Sequence, residues 1–274
     1  MKSAPFDYVR PKTVAEASAA LAQDAVAASA IAGGQSLIPM LNLRVAVIDL
    51  LVDIGALEEL RAVTESASGL VVGALTTHAA IEDGKIPDLF GGLLRRVAGQ
   101  ISYRAVRNYG TIGGSVAFAD PAADWPACLI ALGARVRISG PKGARSEPVA
   151  EFVRGAYSTS LSAGEIVLGF DIPRPTAPLR WGFAKVARKS GAFAESIAFA
   201  TARADEAAVV LAGASLPARL LPAASKAIAG TNADALRAAM ASDLDAIASP
   251  ADAYQRRLYT ATVLKAVREM RAQE

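Results

Sequence analysis

With 274 residues, the chain is too long for one minimal domain and suits two, or a split domain plus a smaller one. Hydrophobic residues make up 53%, charged residues 20%, and the formal net charge is +3, a balance that excludes a disordered chain. One cysteine, Cys128, and one histidine, His78, exclude a Cys/His zinc site and an iron–sulfur cluster held by this chain alone, since such centres draw on about four ligands.

Basic residues are scattered, with no Lys/Arg run interleaved with aromatics, so no nucleic-acid partner is expected. Pro5 and Asp7 interrupt the N-terminus where a secretion signal needs an apolar core, which makes the cytoplasm the default location. Residues 25–43 carry no charge, but Gly33, Gly34, Gln35, Ser36, Pro39 and Asn42 break the stretch, and it reads as no membrane span.

In chain order, Thr13 is positioned to cap a helix running to Ala22, followed by a buried strand over residues 27–31 and a second over 45–52, together a small βαβ-like unit. From about Glu58 the pattern shifts to short strands such as residues 69–73, a helix near 77–82 and another starting near Asp88. A helix over about 122–132, a strand over 134–139, a turn at GPKGA and a strand over 166–172 follow. IPRPTAP, with three prolines in seven residues, reads as a linker and marks a domain boundary near 174/175. Beyond it, residues 180–188, 197–204 and 207–214 resemble antiparallel strands, and helices run from about Ala223 to the end, the last opened by Pro250 or Ala251.

Two glycine loops carry the chemistry. AGGQS (Ala32, Gly33, Gly34, Gln35, Ser36) lies between a buried strand and a short helix over residues 36–43, where glycines allow positive φ and free amides at a helix start suit a phosphate. TIGGS (Thr111, Ile112, Gly113, Gly114, Ser115) repeats the pattern nearly eighty residues later. Together they suggest a pyrophosphate gripped from two sides. Neither loop matches G-x-G-x-x-G, and no P-loop signature is present, which points to a diphosphate cofactor in a different fold.

At these residues the chain resembles the medium, FAD-binding subunits of the xanthine dehydrogenase and carbon monoxide dehydrogenase type of molybdenum hydroxylase. The matching segments are FDYVRPKTVAEA, AGGQSLIPMLNLR, VGALTTHAAIE, AVRNYGTIGGSVAFADPAADWPA, GEIVLGFDIP and FAKVARKSGAFAESIAFA, spread over essentially the whole chain. The resemblance implies an α+β fold: a vanillyl-alcohol-oxidase-type FAD-binding region over residues 1–174, in two α/β lobes (about 1–55 and 56–174), then an α+β C-terminal domain over 175–274 with antiparallel sheet and helices. It implies FAD held at both loops, Asp124 accepting ribityl or ribose hydroxyls with Asp120 beside it, Lys185 near the flavin ring and Phe193 packing against it. It also implies partners: a large subunit with molybdenum-pterin and a small one with two-iron two-sulfur clusters, arranged as a dimer of heterotrimers, with this chain passing electrons to an external acceptor. Two positions depart from the family pattern, which usually has His where Phe118 stands and Asp where Ala192 stands. A stand-alone flavoprotein oxidoreductase and a flavin-free assembly scaffold of the same fold stay open as alternatives.

Among the remaining residues, His78 reads as a locally hydrogen-bonded residue at the start of a helix, Arg104, Arg107 and Asn108 as braces of the second loop or, alternatively, as groups facing a phosphate, Cys128 as a small core hydrophobe, and Trp125 and Trp181 as core or interface anchors.

Overall fold

The computed structural model describes residues 2–203, 206–214, 216–247 and 251–273. Mixed helix and sheet form an α+β fold built on three main sheets.

The first sheet is parallel, with Leu50–Asp53 between Asp7–Val9 and Ala28–Ile31. Parallel neighbours need crossovers. The helices Val14–Leu21 and Leu37–Leu43 provide them, the first capped by Thr13, whose side chain accepts the Glu16 amide at 3.1 Å. The expected strand over residues 45–52 is shorter and begins later, at Leu50. Its partner Ala28–Ile31 has only four residues to pair with, and Arg44 turns left-handed (φ 57°), folding the amides of Val45 and Ala46 back onto the Met40 carbonyl.

The second sheet is antiparallel, in the order Val63–Ser66, Gly69–Gly73, Ile166–Pro173, Arg135–Gly140, Gly143–Pro148. The helices between its second and third strands in sequence include His78–Glu82, Ile112–Phe118 and Asp124–Ala131. The helix expected near Asp88 starts instead at Leu93. The Asp88 carboxylate accepts the amides of Phe90 and Gly92 and holds a turn there, and Gly91 and Gly92 both take positive φ.

The third sheet is an antiparallel meander of Arg180–Ala187, Ala194–Arg203, Glu206–Gly213 and Leu216–Leu220, followed by the helices Pro222–Ala227, Ala233–Ala246 and Ala253–Arg271. Ala204 and Pro250, each part of a sequence expectation, lie outside the described residues; the last helix is capped by Asp252 through a capping box with Gln255. Alternation along Ala194–Arg203 splits the burial: Ile197 and Phe199 join the large core of the second sheet, while Ala198, Ala200 and Ala202 face the terminal helices. Phe183 stacks on Phe199 in the shared core, and Trp181 donates its indole N–H to the Gly91 carbonyl, so both tryptophans anchor buried contacts. Cys128 is buried in the same core, and burial pushes its thiol pKa up.

Candidate functional site: a cofactor cavity between two glycine loops

A cavity of about 730 Å³ lies where the three sheets meet, a volume within the roughly 300–1,000 Å³ range of small-molecule and cofactor sites. It is lined by Ala32, Gly33, Gly34, Gln35 and Ser36, by Thr111, Gly113, Gly114 and Ser115, and by Asp120, Asp124, Lys185 and Phe193. Of the fourteen residues singled out from sequence, only Ile112 turns away, buried in the core behind the second loop.

The two loops meet the cavity differently. In the first, Gly34 takes a left-handed φ of 70°, the Gln35 side chain ties back to the Gly33 carbonyl, and the Ser36 hydroxyl caps nothing. The amides of Gly34, Gln35 and Ser36 have no protein acceptor among the described residues, which leaves them open to an anion. In the second, the amides are already occupied: Ile112 donates to Thr76 O, Gly113 to Ala74 O, Gly114 to the Thr111 Oγ1 cap and Ser115 to Thr111 O. What this loop offers is the Ser115 hydroxyl and the open face of Gly114.

The glycines let the loops close on each other. A Cβ on Gly33 would stand 1.9 Å from the Tyr109 carbonyl oxygen, and one on Gly113 would stand 2.5 Å from the Ala74 Cβ. A Cβ on Gly114 would face Ala32 across the opening, 3.8 Å from its Cβ.

Arg104 and Arg107 both brace. Arg107 makes a two-pronged pair with Glu82 at 2.8 and 2.9 Å and holds the Ile101 and Ser102 carbonyls at 2.9 Å. Arg104 pairs with Asp83 and Glu82 and takes the Asn108 side-chain oxygen. These guanidiniums hold the Glu82 and Asp83 carboxyls below their usual range. On another wall, the segment 160–167 is fixed by Arg145, which binds both oxygens of Glu165 and the Ser160 carbonyl.

Asp124 opens the helix Asp124–Ala131 and is buried. Its Oδ2 accepts Lys185 Nζ at 2.8 Å, and Lys185 also reaches the Gln100 carbonyl at 3.2 Å. Burial raises the carboxyl pKa, and Lys185 opposes that. The other oxygen, Oδ1, is buried with no hydrogen-bond partner among the described residues, an acceptor awaiting a donor. Asp120 is committed locally: Oδ1 takes the Ala122 amide at 2.8 Å and Oδ2 the Tyr157 hydroxyl at 3.4 Å. Phe118 packs edge-on against the same Tyr157 ring. Phe193 is 73% exposed at the cavity mouth.

A family model described as the FAD binding domain in molybdopterin dehydrogenase matches residues 4–175. The chain belongs to this FAD-binding family. Among relatives, the carbon monoxide dehydrogenase medium chain of Hydrogenophaga pseudoflava is 38% identical over 69% of this chain and 66% of its own length. The caffeine dehydrogenase subunit beta of Pseudomonas sp. strain CBB1 is 35% identical over 71% and 66%. The matched stretch therefore spans just under two thirds of these relatives. Among solved structures, carbon monoxide dehydrogenase from H. pseudoflava lacking the Mo-pyranopterin moiety superposes with a TM-score of 0.92 at 32% identity, covering 100% of this chain and 99% of that one.

Within this FAD-binding chain, parts of the cavity lining were not legible as such, His78 and the wall at 161–167 among them. His78 was expected to bond locally, but its Nδ1 accepts the indole N–H of Trp125, 47 residues away, at 3.0 Å. Residues 164–167 open the matching segment GEIVLGFDIP but were given no site role, and the fold brings the wall at 161–167 to the cavity.

Proposed function

We propose that this chain is the FAD-binding, electron-transferring subunit of a molybdenum hydroxylase, taking electrons from iron–sulfur clusters on a small subunit and delivering them to an external acceptor. The substrate is oxidised at the molybdenum-pterin of a large subunit. The observation that carries the reading is Asp124 Oδ1, a buried, unpartnered acceptor lining a cavity whose first glycine loop presents free amides. An anionic group fits the amides of residues 34–36 with the hydroxyls of Ser36 and Ser115, and a sugar hydroxyl fits Asp124 Oδ1, which can only accept. That donor and acceptor set, at that separation of functions, matches FAD. When bound, FAD accepts electrons singly and releases them in pairs.

The chain's residues do the rest. Lys185 holds Asp124 Oδ2 and opposes the burial that raises the carboxyl pKa, which leaves Oδ1 for the ligand, the loop amides place the pyrophosphate, and Phe193 forms the apolar lip of the mouth. Relatives of similar identity are named for carbon monoxide, caffeine and glyceraldehyde, which supports placing substrate choice on the large subunit. The same reading carries the division at 174/175, a dimer of heterotrimers as the assembly and a cytoplasmic location.

The test is an absorption spectrum of the desalted chain, alone and assembled with its partners, with the released cofactor identified by mass. Stoichiometric FAD, lost in Gly114→Glu because the side chain fills the face opposite Ala32, is the expected result. No FAD in either preparation after incubation with excess cofactor would leave the flavin-free scaffold.

A further inference from the structure

His78 is the chain's single histidine and has no part in the function proposed above. Its side chain is 5% exposed at the start of the helix His78–Glu82, and it lines the cofactor cavity. An indole nitrogen has a proton to give and nothing to accept with, so the Trp125 bond requires Nδ1 to be the bare nitrogen. The neutral ring then carries its proton on Nε2. That N–H has no acceptor among the described residues.

The position of Nε2 indicates what it meets. A Cβ on Gly110 would come within 2.8 Å of it, and the Cβ that Gly33 lacks would reach 3.0 Å from the Gly110 Cα. The imidazole edge therefore sits against Gly110, on which the first glycine loop rests, in the cavity that the free amides of residues 34–36 also line. Burial and the nearby Arg107 charge lower the imidazole pKa to about 4, so the ring is a neutral donor at ordinary pH.

We propose that His78 Nε2–H, held in one tautomer by Trp125, donates a hydrogen bond to a pyrophosphate oxygen of bound FAD. The inference rests on the FAD-binding reading. Replacing a donor to a charged oxygen with an apolar group of similar size weakens binding by about tenfold or more.

The single histidine makes the test specific. The chain is labelled with ¹⁵N-histidine, assembled with unlabelled partner subunits, stripped of cofactor and followed by solid-state ¹⁵N spectroscopy on adding FAD, ADP or riboflavin. The expected result is an Nε2–H tautomer whose Nε2 signal moves with FAD and with ADP, which shares the pyrophosphate, and stays with riboflavin. His78→Leu should bind FAD about tenfold more weakly, while His78→Gln, which keeps an N–H near Nε2, stays within about threefold. A signal that moves with riboflavin and not ADP, or that stays put while mass analysis shows FAD bound, overturns the proposal, as do Leu and Gln variants that bind alike. The wild-type spectra decide the matter if His78→Leu fails to fold. Absence of bound FAD in the assembled complex overturns the flavin reading itself, and this inference with it.

Discussion

Gly33 and Gly113 lack side chains for different reasons, and substitution should separate them. Alanine at 33 drives a methyl into the Tyr109 carbonyl at 1.9 Å, and the backbone there yields only by parting the two loops. Gly33→Ala should lower FAD affinity at least about tenfold, the cost of a misplaced phosphate site being one lost charge-assisted hydrogen bond or more. Alanine at 113 meets Ala74 inside the core and should cost about 1–3 kcal/mol of stability by overpacking. Flavin titration and urea denaturation of both variants check the contrast. Sequence showed two Gly-Gly pairs with one apparent job, because the acceptors that occupy the second loop's amides, Ala74 O and Thr76 O, are unreadable from the motif. His78 was misjudged for a related reason, since its partner Trp125 comes from another helix. The buried ring also makes stability pH-dependent. The unfolded imidazole takes up its proton near pH 6.5 and the folded one only near 4, so between those values the unfolded state binds more protons and stability falls as pH drops. The loss should approach about 3 kcal/mol at pH 4. Urea midpoints from pH 7 to 4 should show it in the wild type and lose most of it in His78→Gln; an unchanged slope in the variant would assign the loss to other groups.

At the scale of elements, the second loop owes its place to the short helices before it. Arg107, 12% exposed, ties the helix Arg104–Arg107 to Glu82 on the helix His78–Glu82 and gathers the carbonyls of Ile101 and Ser102. Arg107→Ala leaves Glu82 with only Arg104 and frees two carbonyls, so a loss of about 2–3 kcal/mol is expected from the charged hydrogen bonds. Flavin affinity should fall with it, because Ile101 and Ser102 line the cavity. Arg107→Lys should recover little, since one ammonium cannot span both Glu82 oxygens and both carbonyls. Most elements were legible where periodicity and capping agree, as at Thr13 or the strands around residues 166–172 and 180–187. The failures share a cause. Val45 and Val47 have strand-like side chains but stand exposed before either neighbouring strand has begun, and the Asp88 carboxylate, read as a helix start, closes a turn first.

At the scale of the molecule, the third sheet completes the site rather than hanging beside it. Lys185, on Arg180–Ala187, reaches Asp124 on a helix that precedes this sheet in the chain and packs against its other strands, and both partners are at least 90% buried by side-chain exposures of 10% and 5%. The resemblance gave both residues to the flavin; it did not disclose that they are each other's partner. A buried pair of this kind gives little net stability when intact, yet breaking it strands a charge. Lys185→Met leaves the Asp124 carboxylate unpaired in the core and should cost about 3–5 kcal/mol, with the surviving carboxyl driven further toward its protonated form. The double variant Lys185→Met/Asp124→Leu removes both charges and should regain most of that stability. Its flavin binding should stay lost, because no acceptor remains where Asp124 Oδ1 stood. Urea denaturation and FAD titration on the wild type, both single variants and the double variant form a cycle that separates the two roles. If the double variant binds FAD as the wild type does, Asp124 serves only to neutralise Lys185; if it stays as unstable as Lys185→Met, the pair holds the third sheet to the rest by something other than charge.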